Sequence, residues 1–150
     1  MAIDKIIDIV LENIDSTAEN IKENIKSSAV LDAQIDNWWL SSAAEYGFSS
    51  QAPKDAKHKL PTLSKVILTD WFFKIIFGNI IKRHFNEAKI IETITFDTTV
   101  SEALQIIANI SEHCNFWNIF GNNIANELVS DNAWKQLVQL NVFLSNLNIE

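Results

Sequence analysis

Turn-forming residues are almost missing from this sequence: three glycines and two prolines serve 150 positions. Gly47, Gly78 and Gly121 stand far apart, so neither a phosphate-cradling loop nor a dinucleotide-binding turn can be written. One cysteine, Cys114, excludes an internal disulfide and fits a reducing, cytoplasmic setting. Long hydrophobic runs are missing too. Lys74, Asn79 and Lys82 interrupt the most apolar stretch before the ~18 residues of a membrane span accumulate. The N-terminus sets Asp4 and Asp8 among isoleucines, whereas a signal peptide wants a basic start and an uncharged apolar core.

What is present is apolar sequence at helical spacing. Hydrophobic residues make up 47% of the chain and charged residues 21%, values of a globular domain with its own core. Scarce turn residues beside that periodicity predict an all-α fold, a single-domain bundle of about five or six helices over residues 1–150. Its organising element is Thr62–Phe85, where apolar residues point in almost every direction and burial between neighbours is expected. On a helical wheel Val66, Phe73, Phe77, Ile80, Ile81 and His84 share one side. Leu68, Phe72, Ile75 and Ile76 cover much of the other, leaving a narrow stripe of Lys74, Gly78 and Lys82, continued by Lys89.

Around it, Ile3, Ile6, Ile7, Val10 and Ile14 predict an amphipathic first helix. Ser16 and Glu19 have capping-box spacing, so a break near Asp15 is expected. A second stripe runs from Val30 to about Glu45. Residues 46–61 are polar and basic and read as a mobile loop. Thr93 and Thr95 tilt 89–96 toward an extended connector. Thr99 with Glu102 forms the clearest helix start, for a helix ending near Cys114. Residues 115–123 read as a turn in which Phe116, Trp117 and Phe120 plug the core. Ser130 or Asp131 caps a last helix whose Ala133, Leu137, Leu140, Leu144 and Leu147 form one seam.

Charge is divided by region. Residues 1–53 hold nine acids and three bases, residues 54–89 eight bases and three acids, and residues 90–150 seven acids and one base, summing to the net charge of −7. A basic middle inside an acidic protein has two readings: acidic outer helices neutralise it within the fold, or it faces phosphate or a partner. On the second reading Lys74, Lys82, Arg83 and Lys89 are the contact candidates, and DNA is a possible partner. The pI of 4.9 and the lack of any helix-turn-helix or zinc-finger pattern weigh against it.

No residue constellation spells out catalysis, and no catalytic, cofactor or metal residue is expected. His113 and Cys114 are adjacent and diverge on a helix, while His58 and His84 lack a companion at ligand spacing. Cys114 reads as a small buried hydrophobe rather than a nucleophile, and His84 as a core histidine. Asp70 can pair with Lys74 one turn on. Trp38 and Trp39 cannot both face one core from one helix, so one of them is an interface candidate.

The runs SKVILTDWFFKIIFGNIIKRHFNEAKIIETI, TTVSEALQIIANISEHCNFWNIFG and DNAWKQLVQLNVFLSNLNIE resemble the helical region ahead of the catalytic domain in adenine-specific DNA methyltransferases of restriction–modification systems. More than half the chain carries the resemblance. Those enzymes need a glycine loop for S-adenosylmethionine and an Asn-Pro-Pro-aromatic motif for the target adenine; Pro53 and Pro61 stand alone and neither motif is present. The resemblance therefore implies a non-enzymatic helical module with a protein partner and no cofactor. The alternative is a stand-alone acidic regulator, such as a phage-type inhibitor of a bacterial defence complex.

Overall fold

A computed structural model describes residues 3–114, 116–120 and 125–147. They form six α-helices: α1 (Ile3–Ile25), α2 (Ala29–Ser42), α3 (Lys59–Ile81), α4 (Val100–Cys114), the single turn α5 (Trp117–Phe120) and α6 (Asp131–Ser145). Four 3₁₀ segments join them, at Ala43–Tyr46, Pro53–His58, Asn86–Thr93 and Asn126–Leu128. The protein is an all-α bundle. No strand occurs among the described residues.

α3 is the packing axis, touching α1, α6, α5 and the 86–93 segment. Leu63, Leu68, Trp71 and Ile75 on it are completely buried. α1 runs antiparallel to it, its start beside Phe72 and Phe73 and its end beside Leu60 and Pro61. Pro61 is tolerated in the first turn of α3 because an amide there has no partner within the helix. For the same reason α3 starts at Lys59, three residues before the expected Thr62. It ends at Ile81 rather than Phe85.

Three expected features differ, each for a local reason. α1 does not break at Ser16. That hydroxyl bonds back to the Asn13 carbonyl (3.3 Å) and across to Ser130 Oγ (3.0 Å), so tertiary packing uses what a cap would have used. Residues 46–61, read as a mobile loop, carry the 53–58 segment and the first turn of α3. Gly47 at φ 83° turns the chain out of Ala43–Tyr46 in the left-handed region, the Ser49 amide donates to Asp55 Oδ2 (2.9 Å), and Phe48 stacks on His58 at 4.4 Å. The 89–96 connector is largely 3₁₀, with Thr93 Oγ1 donating to the Ile90 carbonyl at 2.6 Å.

Other starts follow the sequence. Thr99 and Glu102 make a reciprocal capping box, both bonds 3.1 Å, and the hydrogen bonds from Thr99 hold the Glu102 carboxyl below its ordinary range. That contribution is present above the ordinary carboxylate pKa and is lost as pH falls through the lowered value. Ser130 caps α6 through the Ala133 amide (3.2 Å). Ala133, Leu137 and Leu140 of the seam are buried, Leu144 is half-buried and Leu147 exposed. Phe120 is buried and Phe116 packs edge-on against Phe77 at 5.2 Å; the Trp117 side chain and the turn expected at Gly121 lie outside the described residues.

Gly78 marks the closest approach to α3. A Cβ there would run into Ile91 Cδ1 of the 86–93 segment, itself fully buried. Gly78→Val is expected to cost about 2–3 kcal/mol by overpacking. Gly78→Ala with Ile91→Val, which removes the clashing methyl, should be more stable than the sum of the single effects predicts, as read by urea denaturation.

Candidate functional site

The four basic candidates do not form one surface. Lys74 is completely buried: its ammonium donates to Asp70 Oδ2 at 2.6 Å and to the Ile119 carbonyl of α5 at 2.8 Å. Asp70 also accepts from Asn126 Nδ2 (2.9 Å), and the Asn126 carbonyl takes the indole proton of Trp71 (2.8 Å). Lys82 is buried as well, donating to Asn79 Oδ1 and meeting Glu92, both at 3.0 Å. Only Arg83 and Lys89 are exposed. A phosphate cannot reach the stripe, because its two helical lysines are neutralised inside the fold.

The burial of Lys82 extends into a second polar seam. Asn79 Nδ2 donates to Asn141 Oδ1 (2.9 Å), and Asn141 Nδ2 donates to the carbonyls of Ile91 (3.0 Å) and Ile94 (2.9 Å). These side chains act as ties between α3, α6 and the irregular 86–94 stretch, supplying a donor to the Ile94 carbonyl and a second one to the Ile91 carbonyl, which also accepts the Ile94 amide (3.2 Å).

The remaining candidates also fall into packing roles. Trp39 is buried against Phe48 (5.9 Å), and Trp38 is half-buried between Trp39 (5.9 Å) and Tyr46 (6.3 Å), so Trp39 offers no interface and Trp38 only part of one. His84, expected in the core, is exposed. Among the described residues no three His, Cys, Asp or Glu side chains gather to hold a metal. Cys114 is buried, and desolvation, with the Glu87 charge behind it, raises its thiol pKa. A maleimide probe near neutral pH is therefore expected to label Cys114 slowly in the native state and rapidly in denaturant; equal rates would contradict its burial.

The inverted wheel of α3 leaves a different surface. With Lys74, Gly78 and Lys82 turned inward, the side bearing Val66, Phe73 and Ile80 turns outward, Phe73 being 61% and Ile80 53% exposed, while Phe77 on the same side packs against Phe116 and Phe120. Beside it on α1 lie Ile7 (50%) and Leu11 (58%). Between the two helices runs an open groove of about 330 Å³ lined by Ile6, Ile7, Val10, Leu11, Phe72, Phe73 and Ile76, with Thr69 its one polar member. Phe73 also borders the next hollow, with Tyr46, Lys65 and Val66. Such a continuous apolar surface, unlike scattered exposed residues, makes this groove the candidate site. Its sequence signal is the doubled pairs Ile6-Ile7 and Val10-Leu11, which make the apolar face of α1 wider than one core contact needs.

No match is found to this chain among protein-family models, curated proteins or solved structures. No helix among the described residues is long and apolar enough to cross a membrane.

Proposed function

We propose that this protein is a non-enzymatic helical interaction module associated with DNA restriction–modification, and that it binds a protein partner through the groove between α1 and α3. The observation that carries the binding mode is the exposure of Ile7, Leu11 and Phe73 along one apolar groove. The association with DNA modification rests on the resemblance of residues 63–149 to methyltransferase helical regions. A second reading is favoured by the net charge of −7 and the exposed acids of α1: a stand-alone acidic regulator using the same face against a defence complex.

Affinity recovery from the native host with wild type and a Phe73→Ser, Leu11→Ser variant tests both parts. Wild type is expected to recover a methyltransferase or nuclease subunit, and the variant to lose about 2 kcal/mol of affinity for it. Recovery unaffected by the variant removes the groove from the account. A partner with no role in DNA modification or defence removes the association.

A further inference from the structure

We propose that the occupant of the α1/α3 groove is a basic amphipathic helix of the partner protein, a proposal that rests on reading the groove as a docking surface. Shape comes first. The described residues contain no strand, so there is no sheet edge on which an extended peptide could add a strand. The groove and the hollow that adjoins it at Phe73 are lined on α3 from Lys65 to Ile76, about 16 Å at 1.5 Å per residue. That length matches about three turns of a helix lying along the groove, with its apolar residues one turn apart between Leu11 and Phe73.

Charge selects among helices. On the α1 side the groove is bordered by exposed acids, Asp4, Asp8, Glu12 and Asp15, against Lys5 as the one base in Ile3–Asp15. Asp4, Asp8 and Asp15 lie next to Leu11 on the helical wheel, so their carboxylates flank the apolar floor. The α3 side shows Lys65 beside Thr69, and the Asp70 charge there is engaged by Lys74. A helix with Lys or Arg along the edge that meets α1 complements this rim. A second copy seating its own α1/α3 face would bring a second acidic row toward the first, and like charges repel.

The probe is a fluorescent peptide of about 16 residues with Leu at i, i+3, i+4 and i+7 and Lys or Arg flanking that face. Its comparator carries Glu at the basic positions. Anisotropy titrations with the full chain are expected to show the basic peptide binding at least about tenfold tighter, with the gap narrowing as salt rises. Phe73→Ser should weaken the basic peptide about tenfold or more. The exposed triple change Asp4→Asn, Asp8→Asn, Asp15→Asn should close most of the gap, with helicity by circular dichroism as the folding control. Equal affinity for both peptides overturns the charge assignment, and binding of neither overturns the helical occupant. In both cases the groove itself stands or falls separately, on partner recovery by the Phe73→Ser, Leu11→Ser variant. Sedimentation showing a wild-type dimer that Phe73→Ser converts to monomer assigns the groove to a second copy and also overturns the proposal.

Discussion

Replacing Asn141 with Leu is expected to destabilise the fold by about 3–4 kcal/mol, a shift of roughly 10 °C in Tm for a chain of this size. Leu keeps much of the volume, so the loss reports hydrogen bonding rather than a cavity. Asn141 is completely buried and ties three groups: Asn79 Nδ2 and the carbonyls of Ile91 and Ile94. The Ile94 carbonyl and one Asn79 N–H lose their partner, each at about 1–3 kcal/mol, while the Ile91 carbonyl keeps the Ile94 amide and Asn79 keeps the Ile75 carbonyl. Hydrogen exchange gives a second readout. Amides of the 86–94 stretch should lose protection more than those of α4, whose start is held by its own capping box. A loss below about 1 kcal/mol would mean that water replaces all three bonds and that the seam is not a tie.

Lys74→Met is expected to cost about 3 kcal/mol, the lower end of the range for breaking a buried ion pair. Methionine preserves the unbranched stem and removes the charge, leaving Asp70 with Asn126 and the Ile119 carbonyl without the ammonium. The Asp70 side chain keeps 15% of its exposure, so water relieves part of the loss. Adding Asp70→Asn should restore most of the stability, because the stranded carboxylate, rather than the lost attraction, is the larger cost. The measurement is the midpoint of urea denaturation for the two single variants and the double. Additive losses would show that the pair does not act as a unit.

Both effects lie where the sequence was ambiguous. The stripe Lys74, Gly78, Lys82 is the most polar line on α3, and a wheel assigns the most polar line to solvent. That rule weighs side chains one at a time. Asp70 and Glu92 change the result by neutralising the lysines locally, Asn79 adds a hydrogen-bond acceptor to Lys82, and Gly78 opens the room that Ile91 fills. Once those contacts claim one side of α3, the aromatic side keeps an internal partner at Phe77, which meets Phe116 and Phe120, but leaves its outer edge uncovered. Phe73 and Ile80 then face outward, and the candidate site appears on the side expected to form the core. The partners involved lie 10 to 66 residues away in sequence, at Glu92, Ile119, Asn126 and Ser145, beyond the reach of periodicity.

Ser16 and Ala125 show the same override on a smaller scale. Ser16 has a capping partner at Glu19 by spacing, yet its hydroxyl meets Ser130 on the cap of α6. Ala125 takes φ 59°, a left-handed conformation that costs a non-glycine residue about 1–2 kcal/mol, next to the Asn126 that reaches Asp70. A strained residue of that kind persists when its surroundings hold it, and nothing in its own identity announces it.

By itself the sequence determined the helical class, the centrality of α3, the cap at Thr99, a cap at Ser130 or Asp131 and the inward seam Ala133, Leu137 and Leu140. These depend on local spacing and on hydrogen bonds within a few residues, which the chain carries wherever it goes. Only the tertiary structure decided which side of α3 is covered. A helix apolar on nearly all sides has no preferred inward face of its own. Its orientation is set by the neighbours that can match Lys74 and Lys82, and that matching leaves the groove between α1 and α3 open.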